Sequence, residues 1–330
     1  MRKSVIVAAF VALGTCLSAV APAAGAPAEP VRTVFIGDSY TANFGIAPTH
    51  HSAPWCFRAL DSYPAVAVDE LAEEGVDVDV QADVSCGGAE IRHVWEPQQL
   101  VDGTSAEPQR NALRADTQLV VGSLGGNTVG FAPIMKQCSD RLRGFEGVLL
   151  PAAPVDEDSP AADCAEFFEH GDGATWLKER FATVEKDLRR MFKEIHEASP
   201  HAKTVLVGYP RIVPEDTARC LNAVPGGTEK PLADIKQDAL KFLDRKVQEP
   251  LNDLMDREAQ AAGVTFADIY HQSGAHTACD GYRRGIGAML EPSEVDALGM
   301  RLPWYVHPNR TGRDLQALVV AETITNVLTT

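Results

Sequence analysis

Short apolar runs alternate with segments of helical periodicity along this chain of 330 residues, and the alternation restricts the folds open to it. Five runs have the length of buried strands, and three of them end directly before a glycine. These runs cover residues 31–36, 76–84, 118–124, 204–207 and 264–269. Between two of them, apolar side chains at 177, 181, 184, 188, 191 and 195 show the spacing of an amphipathic helix. The pattern predicts one doubly wound α/β domain, a central five-stranded parallel sheet flanked by helices.

Further helices are predicted at residues 63–74, 234–262 and 311–328, and Pro250 is expected to kink or break the second of these. Residues 138–174 and 270–306 show neither the apolar runs of buried strands nor the 3–4 spacing of an amphipathic helix. Loops of that length in a compact domain are usually functional or covalently tied down. Both contain cysteine, and we favour a covalent tie for the first. The second leads directly to His307 and is expected to form a wall of a substrate site.

The N-terminal segment predicts export. Two basic residues precede an apolar run over residues 4–21, and Ala26-Pro27-Ala28 fits a small-x-small cleavage site. We therefore predict a signal peptide at 1–28 and a mature domain at 29–330. Cleavage after Ala26, an uncleaved membrane anchor, and lipid attachment at Cys16 are the alternatives.

Charge restricts the partners of the mature chain. The signal segment contains two basic residues and no acidic one, so its removal changes the net charge from −16 to −18. This charge repels nucleic acid and anionic membrane surfaces, and we expect neither as a partner. No other run is long and apolar enough to span a bilayer, so no stable membrane insertion is expected after cleavage.

Apart from Cys16, the chain has six cysteines, at positions 56, 86, 138, 164, 220 and 279. An even number in an exported chain predicts three disulfides, and spacing alone leaves all fifteen pairings open. The sequence has no C-x-x-C pair and no cluster of His with Cys, so we expect no metal site. Nothing in the sequence indicates a cofactor.

Three short blocks carry residues suited to acyl chemistry. Gly37-Asp38-Ser39 follows the first strand, Gly125-Gly126-Asn127 follows the third, and His307-Pro308-Asn309 precedes the last helix. A serine needs a nearby base to become a nucleophile, and a neutral histidine is the usual one. An asparagine amide can stabilise an oxyanion. Alone, each block has an ordinary structural interpretation, as a helix cap, a turn and a structural histidine.

Together, the order and positions of these blocks resemble the SGNH (GDSL) hydrolases, and most closely their secreted actinobacterial-type esterases and lipases with three disulfides. The resemblance implies a flavodoxin-like domain in which Ser39 is the nucleophile and His307 its base. Cys86-Gly87-Gly88-Ala89 resembles the second block of the family. The resemblance thus implies an oxyanion hole formed by the N–H groups of Ser39 and Gly88 and by the amide of Asn127. It also implies disulfides in sequence order: Cys56–Cys86, Cys138–Cys164 and Cys220–Cys279.

Three positions depart from the family. Most members have Asp three residues before the histidine, where this chain has Trp304. Some secreted members use a main-chain carbonyl there, so we expect the Trp304 carbonyl to orient His307, with Asp268 as the competing group. Thr128 replaces the usual Asp after Asn127, and Asn43 stands where close relatives have Gly.

These residues predict a secreted serine esterase or lipase that acts on lipid-like or short-to-medium acyl esters. The alternatives are a carbohydrate O-acetyl esterase or acyltransferase with the same site, and an exported lipid- or glycan-binding module without turnover. Trp55, Trp95, Trp304 and Tyr305 are candidates for an apolar acyl pocket, although core packing is the expected role of each. His50 and His51 are expected at the surface or at the rim of the site.

Overall fold

The computed structural model describes residues 29–147, 150, 152–297 and 299–329. The predicted signal peptide lies outside this range. Five parallel strands form the central sheet in the order β2-β1-β3-β4-β5. They are β1 (Val31–Gly37), β2 (Val78–Asp83), β3 (Leu119–Ser123), β4 (Lys203–Val207) and β5 (Thr265–Ala267). This is the flavodoxin-like order, so the prediction of a doubly wound α/β fold is confirmed.

Four long helical elements cover the two faces of the sheet. They are α1 (Tyr63–Glu73), α2 (Asp172–Ala198), α3 (Gln237–Ala262) and α4 (Arg310–Thr329). Side chains alternate between the faces along β1: Phe35 packs with α1 and α4, whereas Val34 and Ile36 pack with α2 and α3. The helices lie on these faces because each presents an apolar stripe that only the sheet can bury.

Helix α3 crosses Pro250 without a break. An α-helical start (Gln237–Phe242) continues into a π-helical stretch (Leu243–Gln248) and then into Glu249–Ala262. Proline lacks an N–H and its ring clashes with the carbonyl four residues earlier. The wide π turn directly before Pro250 relieves both problems, so the expected break is replaced by a change of helical pitch.

Shorter elements occupy the connections. Two antiparallel hairpins pair Gln98–Gln99 with Ser105–Ala106 and Pro292–Ala297 with Met300–Pro303. The short α-helices are Gly126–Val129, Phe131–Gln137, Asp140–Arg143, Cys164–Glu169 and Ile269–Gln272. The 3₁₀ turns are Pro54–Cys56, Ile91–Val94, Gln109–Ala112, Phe145–Gly147, Ala161–Asp163, Thr217–Leu221 and Gly281–Arg283. The two segments without sequence period are therefore partly ordered by single turns and a hairpin too short to produce a periodic pattern.

Three disulfides tie these connections to the domain. They join Cys56 to Cys86, Cys138 to Cys164, and Cys220 to Cys279, which are the pairs that the family resemblance implied. The first holds the loop after β2 against the turn around residue 56, where the Gly87 N–H also donates to the Cys56 carbonyl at 2.8 Å. In the ranges described above, none of the helices has the length and apolar character that crossing a bilayer requires.

Candidate active site

Four separate blocks meet at the carboxyl edge of the sheet. Ser39 follows β1, Gly88 follows β2 and Asn127 follows β3, whereas His307 lies three residues before the first residue of α4. Strands β1 and β3 are the neighbours between which the order of the sheet reverses. Ligands of open α/β sheets bind at such a switch point, because the connections diverge there and leave a crevice.

Ser39 and His307 are in direct contact. The distance between Ser39 Oγ and His307 Nε2 is 2.7 Å. The other ring nitrogen, Nδ1, lies 2.9 Å from the Trp304 carbonyl oxygen and 3.0 Å from that of Tyr305. Because both of these neighbours are acceptors, Nδ1 carries the proton and donates to them. Nε2 is therefore free to accept the hydrogen of the Ser39 hydroxyl.

The chain turns sharply before His307 so that both carbonyls face the ring. Tyr305 and Val306 have positive φ values, 45° and 57°. This left-handed conformation is strained for a β-branched residue such as Val306. The hydroxyl of Tyr40 donates to the Val306 carbonyl at 2.9 Å, and the hydroxyl of Tyr305 donates to the Glu146 carbonyl at 2.8 Å. These two bonds stabilise the turn.

Asp268 is bonded elsewhere. Its carboxylate accepts from the backbone N–H and from Nδ1 of His271, and it caps the helix Ile269–Gln272. The competing interpretation of Asp268 as the group that orients His307 is therefore wrong. The Tyr305 carbonyl, which sequence analysis did not anticipate, shares the position with that of Trp304.

Burial sets the ionisation of His307. The ring of His307 packs beside those of Tyr40 and Phe44, with centroids 4.7 and 4.9 Å away. Burial lowers the pKa of His307 from 6.5 to about 4, although its bonds to the Trp304 and Tyr305 carbonyls act in the opposite direction. At neutral pH the imidazole is therefore uncharged, which is the state in which it can accept a proton.

Three hydrogen-bond donors belong to residues that line the same pocket as the Ser39 hydroxyl: the N–H groups of Ser39 and Gly88 and the side-chain amide of Asn127. Across the described residues, neither the Ser39 N–H nor the Gly88 N–H has an acceptor within the chain. Gly88 has a φ of +77°, a conformation that glycine adopts without strain. The amide of Asn127 donates one hydrogen to the Ala89 carbonyl at 2.9 Å and keeps a second. This set of free donors could bind an anionic oxygen.

The two family departures near these donors have structural explanations. Thr128 Oγ1 accepts the Ile91 N–H at 2.8 Å, so a threonine joins the loop of Asn127 to the loop of Gly88. Asn43 has a φ of 50°, the left-handed conformation that glycine adopts and asparagine tolerates. Its side chain also accepts from the Tyr63 N–H and donates to Gln316 Oε1. The turn after Ser39 thus keeps a glycine-like backbone.

Two buried residues that sequence analysis missed hold the turn that carries Ser39. Gln109 bonds both the N–H and the carbonyl of Gly37, each at 2.8 Å. The hydroxyl of Tyr209 contacts the carboxylate of Asp38. Burial raises the pKa of Asp38 from 3.8 to about 7, although hydrogen bonds from Tyr209 and from the Tyr40 N–H lower it. The one sequence feature that could have indicated Tyr209 is its position shortly after a strand.

A cavity of about 370 Å³ opens beside Ser39 and His307. Its apolar wall includes Phe44, Phe131, Met135, Ile212, Leu251 and Met289. Met289 comes from the segment 270–306 that was expected to contribute a wall. Gln98 and His93 lie on a more polar part, and the Nδ1 atom of His93 accepts the Glu90 N–H at 2.9 Å. No sequence signal singled out His93.

Of the four aromatic residues considered for the pocket, Trp55 and Tyr305 line it. Trp304 is buried against Gly45 and Gly287, and Trp95 stacks with the Arg190 guanidinium at 4.1 Å. His50 and His51 lie outside the lining, in a partly exposed loop. In the part of the chain that the structure describes, no three or more His, Cys, Asp or Glu side chains are grouped to hold a metal ion.

Comparison with known proteins adds a family and a set of relatives. Residues 35–315 match the sequence model of the GDSL-like Lipase/Acylhydrolase family. The chain is 55% identical over 330 aligned positions to an esterase from Streptomyces scabiei, an alignment that covers 98% of this chain and 95% of that one. It is 29% identical over 317 positions to Lipase 2 from Streptomyces coelicolor, covering 91% and 94% of the two chains.

Two solved structures share the architecture. Phospholipase A1 from Streptomyces albidoflavus matches with a TM-score of 0.60 and 20% identity, over 90% of this chain and 99% of that one. An extracellular lipase from Streptomyces rimosus matches with a TM-score of 0.60 and 19% identity, over the same shares of the two chains. At these identities the likeness concerns the fold alone.

Proposed function

Because the chain belongs to the GDSL-like lipase/acylhydrolase family of esterases and lipases, we propose that it is a secreted serine esterase whose acyl-enzyme forms on Ser39. The observation that carries the proposal is the 2.7 Å contact between Ser39 Oγ and the unprotonated Nε2 of His307. A hydroxyl bonded to an uncharged imidazole, with free amide donors beside it, is the arrangement that acyl transfer requires.

The steps follow from this geometry. His307 Nε2 takes the hydroxyl proton as Ser39 Oγ attacks the ester carbonyl carbon. The Ser39 N–H, the Gly88 N–H and the free hydrogen of the Asn127 amide stabilise the negative oxygen of the tetrahedral intermediate. His307 then donates its proton to the leaving alcohol. Water, deprotonated by the same imidazole, cleaves the acyl-enzyme and regenerates the serine.

In the proposed mechanism, two main-chain carbonyls orient the histidine in place of the carboxylate of a catalytic triad. The Trp304 and Tyr305 carbonyls hold Nδ1–H and fix the tautomer and the orientation of the ring. They bring partial charges in place of a full negative charge, so they stabilise the imidazolium less than an aspartate would. The partly buried ring fits this arrangement, because it is uncharged at neutral pH and needs no counter-charge in the resting state.

The substrate we propose is an ester with a lipid-like or short-to-medium acyl chain. The apolar wall beside Ser39 can bury methylene groups, each worth about 0.8 kcal/mol of transfer free energy. A carbohydrate O-acetyl esterase or acyltransferase would use the same catalytic residues, but an acetyl group would leave most of this wall empty. Export through the signal peptide at 1–28, followed by folding of residues 29–330 as one hydrolase domain, fits the three disulfides.

A fluorophosphonate probe tests the nucleophile. We expect covalent labelling of the tryptic peptide that contains Ser39, no labelling of Ser39→Ala, and normal labelling of the control Ser52→Ala, which changes an exposed serine. Rates on p-nitrophenyl esters from acetate to palmitate, compared with an acetylated xylooligosaccharide, then define the acyl group. Unlabelled wild-type protein would indicate a binding module and contradict the proposal.

A further inference from the structure

One hydroxyl joins two of the catalytic blocks. Tyr209 lies just beyond the end of β4, with 4% of its surface exposed. Its hydroxyl accepts the Gly126 N–H at 2.7 Å and donates to the Asp38 carboxylate. Gly126 directly precedes Asn127, and Asp38 directly precedes Ser39. The hydroxyl therefore connects the peptide that carries the oxyanion amide to the peptide that carries the nucleophile.

Tyr209 is itself held rigidly. Its N–H donates to Asn252 Oδ1 at 2.8 Å, and its ring meets that of Tyr40 edge to face with centroids 5.0 Å apart. A Cβ on Gly126 would lie 3.2 Å from the ring, so the glycine permits the close approach that the hydrogen bond needs. Burial and the nearby Asp38 raise the pKa of Tyr209 well above 10, and the hydroxyl keeps its proton at any working pH.

We propose that Tyr209 is a positioning residue of the oxyanion hole, whose hydroxyl fixes the separation between Ser39 and the amide of Asn127. This inference rests on the proposed function of those two residues. Asn127 lies in the short helix Gly126–Val129 after β3, and Ser39 lies in a turn after β1. The Asp38–Tyr209–Gly126 chain of bonds links these two blocks through a third strand. Misplacing a catalytic group by about 1 Å can cost 100-fold in rate.

The proposal separates turnover from substrate binding. The oxyanion exists only after Oγ has attacked, so the amide contributes more to the transition state than to the bound ester. Removing the Tyr209 hydroxyl should lower kcat and kcat/KM by similar factors and leave KM nearly unchanged. If the Tyr209 hydroxyl contributed only to packing, its removal would lower the stability of the fold and leave kcat and KM unchanged.

Tyr209→Phe keeps the ring and removes the hydroxyl. We expect kcat to fall about 10- to 100-fold with KM within twofold. Tyr270→Phe is the matched control, because Tyr270 is a buried tyrosine outside the pocket lining that donates to the Asp244 carboxylate at 2.7 Å. It should lose stability and retain kcat. Equal kcat in the two variants would overturn the proposal.

A double-mutant cycle with Asn127→Ala tests whether the Tyr209 hydroxyl affects kcat through the Asn127 amide. If the hydroxyl acts through the amide, Tyr209→Phe costs less than threefold in the Asn127→Ala background. Independent, multiplicative losses would contradict the proposal. Should Tyr209→Phe fail to fold, Asp38→Ala removes the acceptor of the Tyr209 hydroxyl, and the same non-additivity is expected. Fluorophosphonate labelling of Ser39 in the wild type, measured alongside, shows whether the proposed function itself has failed.

Discussion

The hydroxyl of Tyr40 donates to the carbonyl oxygen of Val306 at 2.9 Å, so the residue after the candidate nucleophile holds the residue before the candidate base. Val306 needs that support because its φ is 57°. The strained turn directs two consecutive carbonyls at His307 Nδ1. Backbone geometry, rather than a side chain, therefore orients the imidazole, and this has consequences that mutation can check.

Trp304→Phe should leave catalysis almost intact. The carbonyl that accepts Nδ1–H belongs to the backbone, whereas the indole is buried against Gly45 and Gly287. We expect kcat/KM within about threefold of wild type and a loss of about 1–3 kcal/mol in the free energy of unfolding, from the cavity left by the smaller ring. Urea unfolding and ester kinetics measure the two quantities. A folded variant with kcat/KM reduced more than tenfold would assign the indole a catalytic role.

Asn127→Ala should reduce turnover. The free amide hydrogen is lost from the oxyanion site, and removal of one such donor typically costs about 100-fold or more in kcat. The bond to the Ala89 carbonyl is also lost, which should cost about 1 kcal/mol of stability. The exposed residue Asn111 supplies the control Asn111→Ala. Turnover of Asn127→Ala within a few-fold of wild type would remove Asn127 from the oxyanion hole.

The acid limb of activity should lie well below the ordinary titration of histidine. In the proposed mechanism His307 must be uncharged to act as the base, and burial lowers its pKa to about 4. The acid limb of kcat/KM should therefore have its midpoint near pH 4, not near 6.5. The unfolded chain binds this proton more tightly, so the contribution of His307 to stability falls as pH drops from about 6.5 to 4. Circular dichroism at each pH separates unfolding from titration. A midpoint near 6.5 in folded protein would show that the ring is solvated.

The effect of Asp38 on the pH dependence of stability should be opposite to that of His307. Its pKa in the folded state is about 7, against 3.8 for the ordinary carboxyl, so the folded protein holds this proton more tightly between those values. The contribution of Asp38 to stability therefore declines as pH rises from about 4 to 7. Asp38→Asn lacks this titration. We expect the unfolding free energy of the variant, relative to wild type, to increase over that interval and level off above it. A difference independent of pH would contradict the shift.

The Cys56–Cys86 disulfide should matter for catalysis as well as stability. It closes a loop of 30 residues, and cross-links of that length contribute about 3–4 kcal/mol in the chain-entropy description. It also holds the loop of Gly88, whose N–H is a candidate donor. Replacing both cysteines by alanine should lower kcat in the folded fraction. The control is the Cys220–Cys279 pair, whose loss should affect stability alone. The residues next to its cysteines do not line the pocket, whereas Phe57 and Gly87, next to Cys56 and Cys86, do. Equal kcat in the two double variants would contradict this expectation.

Local pattern was sufficient for much of the fold. The run that became β1 is visible because a strand covered on both faces is apolar at consecutive positions, and the spacing that became α2 is visible because burial of one helix face imposes a period of 3.6. The pattern failed at Pro250, where a π turn absorbed a residue that usually ends a helix. It also failed in the segment 270–306, where a hairpin only a few residues long on each side leaves too few positions for any period to be recognised.

The order of strands and helices, the family, and the positions of Ser39 and His307 within recognisable blocks can all be inferred from the amino-acid sequence alone. These are properties of short segments, and adjacent residues encode them. The three-dimensional fold was needed to show that the Tyr305 carbonyl shares Nδ1–H with that of Trp304, that Asp268 caps a helix, and that His307 is buried enough to stay uncharged. Hydrogen-bond partners and local dielectric depend on residues far apart in the chain, and these are fixed only when the domain closes around them.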